Sequence, residues 1–276
     1  MLQKSWVLWV LAVMFAIFAM FWQKVSGPTY PVRITEIIGE SEFNTKLLRS
    51  YETTDDLPVN ITIADNNISG LVKWRRLGAG DDWAYLEMVR NAEILTSSLP
   101  KQKSAGKVEY SVILQNGDGK LVLDNQGLPI IARFKDPVPS QILIPHIIFM
   151  IFGLIWAMRT GIGALASSEF QVSKITTTLI MLGLGGLILG PIVQKFAFGA
   201  YWTGWPLGSD WTDNKLAAMV LAWIITLILT IKKQGLARIF TIIALMVTLT
   251  VYLIPHSMGG STLDYSTGET ETGMQK

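Results

Sequence analysis

The sequence has no cysteine, only two histidines and few charged side chains. The absence of cysteine excludes disulfides, iron–sulfur clusters, covalent c-type haem attachment and thiol catalysis. Only 16% of the 276 residues are charged, against about a quarter in an average soluble domain, and 50% are hydrophobic. The composition therefore predicts an integral membrane protein, and a net charge of +2 gives no reason to expect nucleic-acid binding.

Five apolar segments approach the roughly 20 residues that a helix needs to cross a bilayer. They are residues 5–22, 141–158, 175–193, 216–231 and 239–254. No small-x-small cleavage site follows the first, which favours a retained signal anchor over a cleaved signal peptide. No charged residue stands in the middle of a predicted span, which argues against a transporter.

Basic residues flank the predicted spans unevenly, which predicts the orientation. If the N-terminus is cytoplasmic, that side receives Lys4, Arg159, Lys174, Lys232, Lys233 and Arg238. We therefore expect a bacterial cytoplasmic membrane protein whose long first connection, aromatic loop and C-terminal tail all lie outside. The tail, residues 257–276, is acidic and rich in Gly, Ser and Thr, which predicts disorder.

The first connection, residues 26–139, alternates short β-rich runs with Gly, Asn and Pro. "QNGDGK" at 115–120 is a hairpin turn signal. Strand spacing near ten residues predicts an antiparallel sandwich, and the segment resembles immunoglobulin-like or fibronectin type III-like modules. It contains no paired carboxylates, Ser–His arrangement or phosphate loop, so we expect a partner-binding domain rather than an enzyme.

The two histidines, His146 and His256, both follow an Ile-Pro pair. His146 opens the second span and His256 closes the fifth, so the alternation of spans places both at the outer face. A histidine at the edge of hydrocarbon must be paired, hydrated or ligated. Each is therefore either an interfacial side chain bonded to backbone or water, or one of two axial ligands of a b-type haem.

The segment "AFGAYWTGWPLGSDWTDNK", residues 197–215, joins the third and fourth spans at the same face. An interfacial aromatic belt explains one or two of its rings. It also interleaves them with three glycines, which permit close approach of the backbone to a ligand. The candidate ligand-binding residues are Tyr201, Trp202, Trp205, Asp210 and Trp211. For Asp213 and Thr212 we expect a helix-capping role, with Asp213 alternatively pairing with Lys215.

The order of these parts resembles the haem-handling proteins of cytochrome c assembly, which carry a tryptophan-rich "WWD" loop between two outer-face histidines. Trp202 and Trp205 match two loop tryptophans, whereas Asp210 follows only after four intervening residues. The resemblance covers residues 141–262 and implies an outer-face haem site with His146 and His256 as its ligands.

These observations predict an integral membrane α-helical protein with five transmembrane helices and an inserted extracytoplasmic all-β domain. The predicted divisions are a signal anchor (1–25), a β-sandwich (26–139), a four-helix domain (140–256) with an aromatic loop (195–215), and a tail (257–276). The predicted function is binding of one haem b, for cytochrome assembly or electron relay to an extracytoplasmic redox or assembly partner. The alternative is a non-catalytic anchor or scaffold in the lipid bilayer, whose β domain docks a partner complex.

Overall fold

The computed structural model describes residues 5–117, 119–166 and 172–271, which divide into two compact units. Residues 5–28, 138–166 and 172–260 form the first, which we name the membrane unit. Residues 29–117, 119–137 and 261–271 form the second, the β unit. The chain passes from one unit to the other after residues 28, 137 and 260.

The helices of the membrane unit are α1 (Ser5–Val25), α2 (Ser140–Ala166), α3 (Val172–Leu182), α4 (Gly190–Phe198), α5 (Trp211–Lys232) and α6 (Gln234–Leu253). A π-helical turn, Gly183–Leu189, joins α3 and α4 into one span, Val172–Phe198. Five helices are thus long and apolar enough to cross a membrane, as predicted. They extend beyond the predicted segments because polar residues at their ends also adopt helical conformation.

Helix α1 belongs to the core of the membrane unit. Its alanines Ala12, Ala16 and Ala19 are buried along one face. Small side chains at this spacing allow two helices to approach closely. The ring of Trp9 meets that of Trp156 edge to face, with centroids 4.8 Å apart. This segment therefore packs against α2 as one of the helices of the membrane unit.

Arg159 lies inside α2 rather than at its end. The predicted span stopped before this charge, but the helix continues to Ala166. The Arg159 side chain is buried, its Nη2 lies 3.3 Å from Ser5 Oγ, and its guanidinium lies over the Trp9 ring. Arg159 was predicted to flank this span, whereas it is part of the helix itself, and α1 supplies a polar and aromatic setting for it.

The π-helical turn has a local cause in Pro191. Proline lacks an N–H, and its ring collides with the carbonyl four residues earlier in an α-helix. The helix widens before this proline, so the Gly190 N–H bonds the Gly185 carbonyl, five residues back. Gly185, in this widened turn, lies against Phe149 and Met150 of α2 and leaves no room there for a larger side chain. The carbonyl of Gly185 thereby comes to face α2, as described below.

The β unit contains β1 (Val32–Ile38), β2 (Ser41–Leu47), β3 (Ser50–Glu52), β4 (Leu57–Thr62), β5 (Ile68–Arg76), β6 (Ala84–Glu87), β7 (Val89–Asn91), β8 (Ile94–Leu99), β9 (Lys107–Asn116), β10 (Gly119–Leu123), β11 (Ile130–Lys135), β12 (Thr262–Leu263) and β13 (Thr270–Glu271). The largest sheet has the order β3-β11-β9-β5-β6, with β10 also on β9. The others are β1-β2, β4-β8-β7 and β12-β13. The β9–β10 hairpin confirms the predicted turn.

Strand β9 is the centre of this unit, since β5 pairs with its whole length and β11 and β10 share its other edge. Tyr110 and Phe134 are fully buried in one apolar core. The largest sheet, the β1-β2 sheet and the β4-β8-β7 sheet all contribute side chains to it. The pairing is antiparallel except between β11 and β3, which run parallel. The long chain between Glu52 and Ile130 supplies the crossover that a parallel pair requires.

The C-terminal segment Ser261–Glu271 is part of the β unit, so the predicted disorder is wrong for these residues. The Leu263 N–H donates to the Ala105 carbonyl at 3.0 Å, and the Tyr265 hydroxyl donates to the Lys107 carbonyl at 2.9 Å. Lys107 Nζ donates to the Thr262 hydroxyl. An acidic, polar composition predicts disorder only for a segment without partners, and here the β unit provides them.

Lys107 makes the stability of the β unit depend on pH. Burial, and then the nearby Arg133 guanidinium, lower the pKa of Lys107 to about 8. An unfolded lysine keeps its proton to about pH 10.4. Between about pH 8 and 10 the unfolded state therefore binds more protons, and the free energy of unfolding contributed by this group rises with pH.

We expect Lys107→Met to remove this rise. Thermal unfolding of the full chain in detergent, compared between wild type and variant at pH 8, 9 and 10, measures it. Wild type should gain stability relative to the variant at each step, and a constant difference would contradict the assignment.

Candidate functional site

The ends of several helices meet at one end of the membrane unit, which we name the loop end. It is the end at which α4 finishes at Phe198 and α5 begins at Trp211. There the Trp22 indole of α1 donates to the Leu253 carbonyl of α6 at 3.1 Å. The N-terminal end of α2, with His146, and the turn after α6, with His256, belong to the same end because consecutive spans alternate in direction.

The carboxylate of Asp213 holds the aromatic loop in a single fold. Its Oδ2 accepts hydrogen bonds from the backbone N–H groups of Thr203 at 2.6 Å and Gly204 at 2.9 Å. The Thr203 hydroxyl and the Gln194 amide lie 3.3 Å from the same oxygen. Asp213 is only 6% exposed. A buried carboxylate satisfied by backbone donors fixes the loop against the first turn of α5.

Asn214 and Gly204 complete this clasp. The Asn214 side-chain oxygen accepts the Trp205 N–H at 2.7 Å. A methyl group on Gly204 would lie 2.6 Å from Asp213 Cβ and 2.8 Å from the Asn214 oxygen. Only glycine therefore permits the loop to approach α5 so closely. We call the Thr203–Trp205 backbone, held by Asp213 and Asn214, the loop clasp.

Asp210 caps α5, so the expectation that Asp213 or Thr212 would be the cap is wrong. The helix begins at Trp211, earlier than predicted, and the Asp210 side chain accepts the Thr212 N–H at 2.7 Å. Its own N–H donates to the Thr203 carbonyl at 3.0 Å. Asp210 is 5% exposed, and these bonds give it a structural task beside its predicted ligand-binding role.

Three of the four predicted aromatic residues face outward from the clasp. Trp205 is 77% exposed, Tyr201 59% and Trp211 42%. The indole N–H of Trp202 donates to the Trp205 carbonyl at 3.1 Å, so this ring braces the loop instead. We name Tyr201, Trp205 and Trp211 the aromatic rim. The rim consists of large exposed rings, of which Trp205 stands on the backbone that the loop clasp fixes.

His146 contacts the π-helical turn. Its Nδ1 lies 2.8 Å from the Gly185 carbonyl, and the ring is half-buried. A carbonyl oxygen only accepts hydrogen bonds, so Nδ1 carries the hydrogen. In the neutral ring Nε2 then carries the lone pair, which is the arrangement that a metal-ligating histidine uses. The bond to Gly185 thus fixes both the tautomer and the ring orientation.

His256 lies in the turn that follows α6 and is exposed. Its backbone carbonyl is 3.6 Å from the position that a methyl group on Gly27, just after α1, would occupy. Both histidines are thus at the loop end, His146 against the turn between α3 and α4 and His256 beside the end of α1. Their joint ligation of one metal stays a prediction.

Lys215 bonds the two residues that follow α6 rather than Asp213, the alternative partner considered for it. Its Nζ donates to the carbonyls of Ile254 and Pro255, both at 3.1 Å. Pro255 lacks an N–H and ends α6, which leaves carbonyls of the last turn without helical partners. A cation beside a helix C-terminus is also favoured by the helix dipole. Pro255 was the sequence signal for these free carbonyls, but it did not identify their donor.

Within the described ranges, no three His, Cys, Asp or Glu side chains are grouped to hold a metal ion. Comparison with known proteins adds no further guide to the site: no family model matches the chain, and no protein of curated function matches it.

Proposed function

We propose that this chain binds one b-type haem at the loop end, in haem handling for cytochrome assembly or in electron relay to an extracytoplasmic partner. His146 and His256 are the proposed axial ligands, and the aromatic rim with Trp202 is the proposed platform. The proposed setting is a bacterial cytoplasmic membrane, with the N-terminus in the cytoplasm and the loop end outside.

The observation that carries this proposal is the hydrogen bond from His146 Nδ1 to the Gly185 carbonyl. It leaves Nε2 as the basic nitrogen and orients the ring, the two conditions that second-shell bonds provide at histidine–metal sites. A histidine with a purely structural role needs only one hydrogen-bonded ring nitrogen, which here is Nδ1. The lone pair on the other nitrogen, Nε2, is what a metal would bind.

The aromatic rim supports the same ligand class. Tryptophan and tyrosine faces bind flat apolar molecules with little loss of side-chain entropy. Here the backbone at Trp205 is already fixed by the loop clasp, which lowers the cost of ordering this part of the loop on binding. A haem bound there would supply one-electron chemistry, and these residues would hold and orient it.

The spectrum of the purified full chain tests the proposal. Protein from haem-replete cells should show a Soret band and an α band in the reduced-minus-oxidised difference. His146→Gln keeps a donor for the Gly185 carbonyl but removes the imidazole, so it should fold and lose the six-coordinate spectrum. His256→Gln should do the same if His256 is the second ligand. A fully folded wild-type protein with no Soret band would reject the proposal.

A second candidate function is a non-catalytic scaffold, and the bonding of the loop end favours it. Asp210, Asp213, Asn214 and Lys215 all bond the protein's own backbone, as a purely structural loop would. In this proposal an immunoglobulin-like or fibronectin type III-like sandwich in the β unit docks a partner complex. It predicts that the double variant His146→Gln, His256→Gln leaves the native-gel mobility of the complex in solubilised membranes unchanged.

A further inference from the structure

A groove runs between α5 and α6 on the membrane-spanning part of the protein. Its volume is about 620 Å³, and apolar side chains line most of it, including Ala218 of α5 and Ile243, Val247 and Val251 of α6. The lining extends along α6 from Ile242 to Ile254, the residue that follows the helix. At 1.5 Å per residue this is a length of about 18 Å, which matches a long stretch of one extended acyl chain.

The groove is polar at one end only. Trp211, Asn214 and Lys215, from the first turn of α5, line it at the loop end. The opposite part of the lining is aliphatic. The groove therefore has the amphipathic character of a lipid, with a polar head at the boundary of the membrane and an apolar tail toward its middle.

Lys215 supplies a charge at the polar end. Its Nζ donates to two carbonyls, those of Ile254 and Pro255, and both of these acceptors are neutral. An ammonium group has three N–H donors, so these two bonds leave one donor for another group. The Asp210 carboxylate also acts on the Lys215 charge, but among the described residues that line the groove Lys215 alone is charged. Because a buried charge is costly unless it is paired, an anion on the groove side of Lys215 would add to the compensation that Asp210 provides.

We propose that the groove holds one anionic phospholipid, with an acyl chain along α6 and its phosphate accepting the remaining N–H of Lys215. Trp211 lies at the same end and suits the level of the headgroup and glycerol. Charge complementarity selects an anionic headgroup, since a zwitterionic lipid brings its own cation to the site. This lipid site does not depend on haem binding, and Trp211 is the side chain that the two proposals share.

Native mass spectrometry of the detergent-purified full chain, titrated with phosphatidylglycerol or phosphatidylcholine of matched acyl chains, tests this site. One phosphatidylglycerol should bind about fivefold more tightly than phosphatidylcholine, the factor expected for one lysine near an anionic headgroup. Lys215→Met should abolish this preference, and Lys215→Arg should retain it. Lys195→Met is the matched control, because Lys195 is also at the loop end and bonds a backbone carbonyl, that of Gly199.

A second variant fills the groove without touching the charge. Ala218 is exposed and lines the groove, so Ala218→Phe should weaken binding of both lipids while the protein folds normally. This variant keeps the proposal testable if Lys215→Met fails to fold. Equal affinity of the wild type for both headgroups, or unchanged binding by Ala218→Phe, would overturn it.

Discussion

Replacing Asp213 with alanine is expected to lower the free energy of unfolding by about 3 kcal/mol and to release the aromatic loop. The variant leaves the buried N–H groups of Thr203 and Gly204 without an acceptor, and each such loss costs about 1–3 kcal/mol. Hydrogen exchange of the full chain in detergent should show lost protection in residues 199–212. Denaturation by added ionic detergent measures the change in stability.

Asp213→Asn is the matched control for this experiment. Asparagine has the same shape and keeps one acceptor oxygen, so we expect most of the loop protection to remain. Asp210→Asn is a second control, because asparagine caps a helix about as well as aspartate. If Asp213→Ala exchanged at wild-type rates, the loop clasp would not be what fixes the aromatic rim.

Replacing Gly185 with alanine is expected to separate α2 from the π-helical turn. The added methyl would lie 2.9 Å from Phe149 Cβ and 3.0 Å from the backbone nitrogen of Met150. These atoms cannot rotate away, so the two elements must move apart, at a cost of about 1–3 kcal/mol. The same movement weakens the bond from His146 to the Gly185 carbonyl. If the haem proposal holds, the variant should also retain less haem.

Gly183→Ala is the control within the same turn. A methyl group on Gly183 meets no atom within 4 Å, so no packing cost is expected. Because alanine has the higher helix propensity, the variant should match or slightly exceed wild-type stability. Equal destabilisation by both variants would mean that the turn itself, and not its contact with α2, is sensitive to substitution.

The spans were predictable because hydrophobicity alone decides them. Their boundaries were not, and α2 demonstrates the reason. A charged residue such as Arg159 normally marks the end of an apolar segment, so the prediction stopped at Met158. The buried setting of this arginine depends on Ser5 and Trp9, which come from another helix and carry no local signal.

In the β unit, the predicted turn at 115–120 coincides with the β9–β10 hairpin, whereas no turn was predicted for the β1–β2 hairpin. The sequence did contain a signal for that turn, because Gly39 stands between two runs of alternating polarity. In the structure Gly39 has φ +62°, a conformation that favours glycine. Strands β12 and β13 gave no such signal. They have two residues each and pair with each other, and the bonds of β12 to the rest of the unit reach far back in the sequence, to Ala105 and Lys107.

At the loop end, the many aromatic residues and glycines indicated that the loop differs from an ordinary connection. They did not indicate which hydrogen bonds hold it. The bonds from Asp213 reach back about ten residues, and that from His146 reaches 39 residues forward to Gly185. Sequence spacing does not encode such pairs, because they exist only once several helices have packed. The common end of the helices at which these residues lie was therefore predictable from topology. Which partner each polar residue bonds there was not.

The contribution of Ser261–Glu271 to the β unit has a consequence for biosynthesis. The bulk of that unit leaves the ribosome soon after α1, but its last eleven residues follow α6. Leu263 and Tyr265 can therefore reach their partners only after every transmembrane helix has been translated. Domains usually fold in order from the N-terminus as the chain emerges. Here the second unit from the N-terminus is completed last, so a chain that stalls within the membrane helices also carries an unfinished β unit.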